Sequence, residues 1–197
     1  MTLSLDSYPA LVLIDLQKAI ARAAPARLAI KHAAQLAAAF RRCGLPVVLV
    51  GLASQHGSAP PGRTDRPRLQ PPTSATPSDG HHFVDDLSKH PDDIVITKRN
   101  WGAFYGTDLD LHLRRRGVTQ IVLGGVATSI GVESTARSAH EHSYHLTLVT
   151  DAMADLDPDA HRHTVDKIFP LIGQIGSTAE VLTLLQPAEV GAAPIIP

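Results

Sequence analysis

Short, wholly apolar runs alternate along this chain with longer stretches whose apolar residues recur every three or four positions. Ala10-Leu11-Val12-Leu13-Ile14 runs straight into Asp15, the pattern of a strand buried on both faces. Residues 27–42 are rich in Ala and Leu with one apolar face at helical spacing; Gly44 stops that helix, and Pro46 opens the next apolar run, 47–50. From 53 to 92 the periodicity lapses into Pro, Gly, Ser, Thr and His, which predicts either a loop covering a site or a disordered excursion. Residues 93–98 predict a strand ending in Lys98, residues 108–116 a helix ended by Gly117, and residues 121–123 a strand closed by Gly124-Gly125. A helix over 129–143, a strand over 145–149 and a helix from Pro158 to about 171 follow, then a short strand near Gln174-Ile175 and a last helix over 178–185.

Strands alternating with helices imply right-handed crossovers. The predicted fold is therefore a doubly wound, three-layer α/β/α domain around a six-stranded, mostly parallel sheet. Residues 1–186 form the single domain, and 187–197 are a loosely held tail without periodicity. Ligands of such sheets bind beyond the carboxyl ends of the strands. Asp15, Lys98 and the turn from Gly125 to Gly131 all fall on that edge, whereas Cys43 falls on the opposite one and is badly placed for chemistry.

Composition narrows the classes further. A length of 197 residues with 44% hydrophobic content suits one domain with a real core, and a net charge of -1 gives no general attraction for nucleic acid or an anionic membrane. No apolar stretch approaches the roughly 20 residues of a membrane span. Asp6, Asp15 and Gln17 interrupt the first apolar run, so it lacks the form of a signal peptide. Cys43, alone, makes no internal disulfide, and a cytoplasmic location is expected.

An aspartate ending one buried strand and a lysine ending another can pair, which keeps both ionised and orients the carboxylate as acid or base; a structural ion pair is the competing reading. In Gly125-Val126-Ala127-Thr128-Ser129-Ile130-Gly131-Val132-Glu133-Ser134-Thr135-Ala136 a strand turns through small residues into a helix, whose first N–H groups can hold developing negative charge. Small residues packing a tight connection would give the same sequence. Trp101, Phe104 and Tyr105 follow Lys98 and suit either the wall of a small pocket or a subunit contact. Histidine occurs 11 times, yet His81-His82 and His161-x-His163 lack a carboxylate at ligand spacing, so no metal and no cofactor are expected. Arg114-Arg115-Arg116 is explained by a helix end and solvation.

Three stretches together resemble the isochorismatase-like, or cysteine hydrolase, family. They are Asp15; Lys98-Arg99-Asn100-Trp101-Gly102-Ala103-Phe104-Tyr105-Gly106-Thr107-Asp108-Leu109; and the Gly125–Ala136 segment continued by Arg137, with Thr150-Asp151-Ala152 and Ser177-Thr178-Ala179-Glu180-Val181-Leu182 completing the match. In the cysteine members Asp, Lys and Cys form a triad in which the thiolate attacks an amide. A cis peptide in the turn, which here falls at Val126–Ala127, belongs to the oxyanion cradle. The family's cysteine position is held here by Gly131, which supplies no nucleophile, and Ser129 and Ser134 are out of register to replace it; Ala127–Gly131 is not a Gly-x-Ser-x-Gly elbow.

Isochorismatases proper also carry glycine there: their aspartate protonates a vinyl carbon and water captures the oxocarbenium. This chain lacks their Trp-Gly-Pro-Gly stretch, and Leu52 falls near their early Gln. The Asp and His residues through which nicotinamidases hold zinc are not matched in Leu52-Ala53-Ser54-Gln55-His56-Gly57. The resemblance implies a homo-oligomer, a dimer or tetramer, acting on a small-molecule substrate. Asp15 is then general acid/base and Lys98 its electrostatic partner. Val126, Ala127, Ile130 and Gly131 form the anion cradle, and Gln17, Trp101, Phe104, Tyr105 and Thr128 contact substrate. The alternatives are a catalytically silent binding or assembly protein and an amide hydrolase using activated water.

Overall fold

The computed structural model describes residues 2–23, 25–53, 63, 65, 79–87 and 90–185. Six strands, β1 (Ala10–Ile14), β2 (Val47–Leu52), β3 (Ile94–Lys98), β4 (Gln120–Val126), β5 (His145–Ala154) and β6 (Gln174–Gly176), form one sheet in the order β3-β2-β1-β4-β5-β6. Every pairing is parallel, so the sheet is wholly rather than mostly parallel. Its central strands are buried on both faces because helices cover both. On one face α4 (Glu133–Glu141) and α6 (Phe169–Ile172) pack with Val12, Ile14, Ile121 and Phe169 in the core. On the other, α2 (Arg27–Arg42) and α7 (Thr178–Leu184) pack over Leu11, Leu13, Leu49 and Val122. In α2 the buried side chains Ala29, Ala33, Leu36, Ala37 and Phe40 make one stripe, so the predicted face is the one the sheet covers. Three short helices complete the set: α1 (Lys18–Ala23), α3 (Leu109–Arg115) and α5 (Pro158–His163). No described helix is long and apolar enough to cross a membrane.

Several predicted elements differ: β2 runs on to Leu52 and β5 on to Ala154, and three others change more. β4 does not close at Gly124-Gly125 but passes through them to Val126. Gly125 adopts φ 129°, and a Cβ on it would run into the Ile14 backbone, so these glycines serve close strand approach rather than a stop. The helix predicted over 129–143 is a π-helical turn, Thr128–Val132, followed by α4; Val132 N–H reaches back five residues to Ala127 O at 3.1 Å. The helix predicted from Pro158 to 171 is α5, a second π turn (Thr164–Ile168) and α6, because Pro170 has no N–H to continue an α ladder.

Helix α1 has no counterpart in the pattern reading, nor has the 3-10 turn Asp85–Leu87 inside the irregular 53–92 stretch. Residues 79–87 lie along 16–19: Lys18 N–H donates to His82 O, Ala19 N–H to Gly80 O and Val84 N–H to Leu16 O. Most of 54–78, and the predicted tail 187–197, lie outside the described residues.

Candidate active site

The strand order reverses between β1 and β4, and beyond their carboxyl ends lies the crevice such sheets offer to ligands. Asp15 is the first residue after β1, where its N–H donates to Val50 O at 2.8 Å. It takes φ 53°, a left-handed conformation that aspartate tolerates better than most residues and that places its carboxylate at the crevice. Lys98, the last residue of β3, reaches the same point from two strands away. Its Nζ lies 2.8 Å from Asp15 Oδ2 and donates to the carbonyls of Trp101 (2.7 Å) and Asn100 (3.3 Å). Three acceptors thus surround the three ammonium protons of a lysine side chain only 1% exposed, so none of its donors is buried without a partner.

Asp15 is less well served. Its Oδ1 is buried and has no hydrogen-bond partner among the described residues, so one carboxylate oxygen is left for whatever enters the site. Burial pushes the carboxyl from its ordinary 3.8 up to about 6; the charge and hydrogen bond of Lys98 oppose that rise without cancelling it.

Gly131 closes the third side. A Cβ built on it would stand 3.2 Å from Asp15 Oδ2, 3.4 Å from Lys98 Nζ and 3.1 Å from Ile14 Cγ2. Any side chain at 131 would therefore point into the Asp15–Lys98 pair. The Val126–Ala127 peptide is cis. Among the expected cradle residues, Ile130 N–H donates to Ala127 O at 3.1 Å and is engaged within the turn. Ser129 N–H is held by Asp155 Oδ2 at 2.7 Å, which ties the turn to the end of β5.

The expected substrate residues divide. Thr128 is fully buried, its hydroxyl donating to Ala154 O (3.1 Å) and facing His161 Nδ1 (2.8 Å), so it supports the turn from behind. Gln17 is clamped: Nε2 donates to His81 O (2.7 Å) and Leu52 O (3.2 Å), and Oε1 accepts from Leu52 N–H (2.8 Å). It borders a cleft of about 750 Å³ with Phe83, Thr97 and Arg99, and Asp15 and Lys98 are not part of that lining. Thr97 precedes Lys98 on β3, and strand alternation sends it to the other face of the sheet. Phe104 belongs to the core, stacked on His142 at 5.0 Å and near Tyr144 at 6.0 Å. Trp101 (61% exposed) and Tyr105 (78%) stand at the surface of the loop whose carbonyls hold Lys98.

The sequence reading missed Asp155 and Thr135 and weighed His161 only as a metal ligand, not as the partner of Thr128. Thr135 lies inside the quoted motif, but nothing in its spacing distinguishes it from a helix-packing residue. Among the described residues no group of three His, Cys, Asp or Glu side chains gathers as a metal site.

Comparison with known proteins concerns the chain as a whole. The isochorismatase domain model matches residues 9–180. The isochorismatase family protein YwoC of Bacillus subtilis is 42% identical over 183 residues, covering 92% of this chain and 96% of that protein. The structure of an isochorismatase family protein from Burkholderia thailandensis superposes with a TM-score of 0.86 at 40% identity, over 94% of this chain and 99% of that one. Ureidoacrylate amidohydrolase RutB of Rhizobium rhizogenes is 31% identical over 128 residues, 63% of this chain and 52% of that protein.

Proposed function

The chain belongs to the isochorismatase family, and from that premise we propose that it hydrolyses a small molecule by Asp15–Lys98 acid–base chemistry without a covalent enzyme intermediate. The observation that carries this reading is the buried, unpartnered Oδ1 of Asp15 beside a glycine that offers no nucleophile. Enol-ether cleavage fits those parts. Protonated Asp15 gives its proton to the vinyl carbon, the double-bond electron pair forms the new C–H bond, and an oxocarbenium remains. Water adds to that cation and returns a proton to the carboxylate, and the hemiketal collapses to an alcohol and a ketone. Lys98 stabilises the carboxylate that exists between the two transfers. With the Ser129 and Ile130 N–H groups already engaged, an anionic substrate group in this reading lies against the Gly131 side of the Val126–Gly131 turn, and Trp101 and Tyr105 flank its approach.

The test is cleavage of isochorismate followed by pyruvate release, in wild type, Asp15→Asn and Gly131→Cys. Turnover by wild type that Asp15→Asn lowers by about a hundredfold or more supports acid catalysis. No turnover by wild type removes this substrate. With Asp15 as the acid, kcat/KM falls as pH rises through about 6.

One observation favours a second reading: the similarity to RutB, an amidohydrolase, fits attack on an amide by a water that ionised Asp15 activates. That chemistry reverses the limb, with kcat/KM rising through the same pH. No turnover of either substrate class at any pH favours the catalytically silent binding protein. The homo-oligomer expected from the family is supported by the exposure of Trp101 and Tyr105 on one loop.

A further inference from the structure

Lys98 is held by a loop and faces a turn, and those two pieces of backbone belong to different parts of the chain. The loop supplies the Trp101 and Asn100 carbonyls to the ammonium. The turn brings Gly131 to the opposite side of the same ammonium. One side chain joins them: fully buried Thr135, whose Oγ1 donates to Gly131 O at 2.7 Å and accepts the Ala103 N–H at 3.1 Å. Back-bonding of a helical threonine to the carbonyl four residues earlier is common and by itself says only that the helix is locally satisfied. The acceptor half is different, because it fastens a segment 32 residues away. Gly102 adds to the contact: a Cβ there would meet Ser134 O at 3.4 Å, so the loop backbone lies directly on the start of α4.

We propose that Thr135 is a positioning residue of this site, its single hydroxyl setting the separation between the Lys98-holding loop and the Gly131 turn. This deepens the Asp15–Lys98 reading and rests on it. Thr135 touches no reacting atom; it acts through Ala103 on the carbonyl that aims Lys98, and through Gly131 on the wall opposite. Valine at 135 has nearly the same shape and neither hydrogen bond, so the loop and turn lose their common tether. Lys98 then holds Asp15 less firmly, and Asp15 takes up its proton more readily.

The experiment follows the Asp15 side-chain carboxyl carbon by NMR through its titration in the full chain, with Asp15→Asn identifying the signal. It compares wild type, Thr135→Val and Thr135→Ser and measures isochorismate cleavage in parallel. The expected result is a titration midpoint raised by about half a unit or more in Thr135→Val and returned to the wild-type value in Thr135→Ser. Cleavage is expected to fall at least about tenfold in kcat in the valine variant, with serine again restoring it. A folded Thr135→Val with an unchanged midpoint overturns the proposal; if valine prevents folding, Thr135→Ala is read in the same way. The titration needs no substrate. Absence of isochorismate cleavage in wild type therefore counts against the reaction, while the midpoints alone decide the role of Thr135.

Discussion

An ammonium 2.8 Å away would ordinarily hold a carboxyl below its usual range, yet Asp15 goes the other way because burial outweighs Lys98. The folded chain therefore binds a proton at Asp15 more tightly than the unfolded chain does. Stability from this group is fully present below the unfolded value of 3.8 and is lost as pH rises through about 6. At about 1.4 kcal/mol per pH unit, the loss is on the order of 3 kcal/mol. Urea unfolding of wild type at successive pH values is expected to show that decline, and Asp15→Asn is expected to lack it. Both members of the pair were legible in the sequence, because an apolar run that stops at a charge declares a strand end, and strand ends share an edge. The partners that aim them were not. Main-chain carbonyls such as Trp101 O leave no trace in residue identity, and Thr135 reads as one more small helical residue.

The turn between β4 and α4 shows why element boundaries were harder. Glycine pairs normally punctuate, but Gly125 is there because the β1 backbone at Ile14 comes too close for a side chain, and Gly124 lies tight against Ala152 of β5, tertiary demands invisible to local pattern. The π turn that follows is held at its start by Asp155, which accepts from Ser129 N–H through one oxygen and from Asp157 N–H (3.2 Å) through the other. Asp155→Ala leaves Ser129 N–H without that partner and is expected to cost about 1–2 kcal/mol in urea unfolding, with Asp155→Asn losing less. The capping box at Ser177, by contrast, sits in the Ser-x-x-Glu form that announces a helix start, and α7 begins at Thr178, as read.

At the scale of the whole molecule, alternating runs were enough for the layers, the six strands and the helix-covered faces, since a parallel sheet requires a crossover between each strand and the next. They were not enough for strand order, which depends on contacts between elements far apart in sequence. Nor did pattern show that Phe104 turns inward while Trp101 and Tyr105 turn out. An exposed aromatic pair beside a buried ion pair invites cover by a second copy of the chain. Sedimentation is expected to give a dimer or tetramer for wild type and a shift toward monomer for the double variant Trp101→Ser, Tyr105→Ser; an unchanged distribution would assign association to another face.

The two halves of the ion pair are anchored unequally. Asp15 follows β1, which has β2 on one side and β4 on the other, but Lys98 ends β3, an edge strand paired, among the described residues, only with β2. Amides of an outer strand exchange with solvent through small local openings, whereas those of a central strand wait for much larger ones. Deuterium is therefore expected to enter residues 94–98 well before 10–14. Each opening of that strand lifts the lysine away from an aspartate that stays where it is. The durability of the site is then fixed at the rim of the sheet, by how seldom its outermost strand peels.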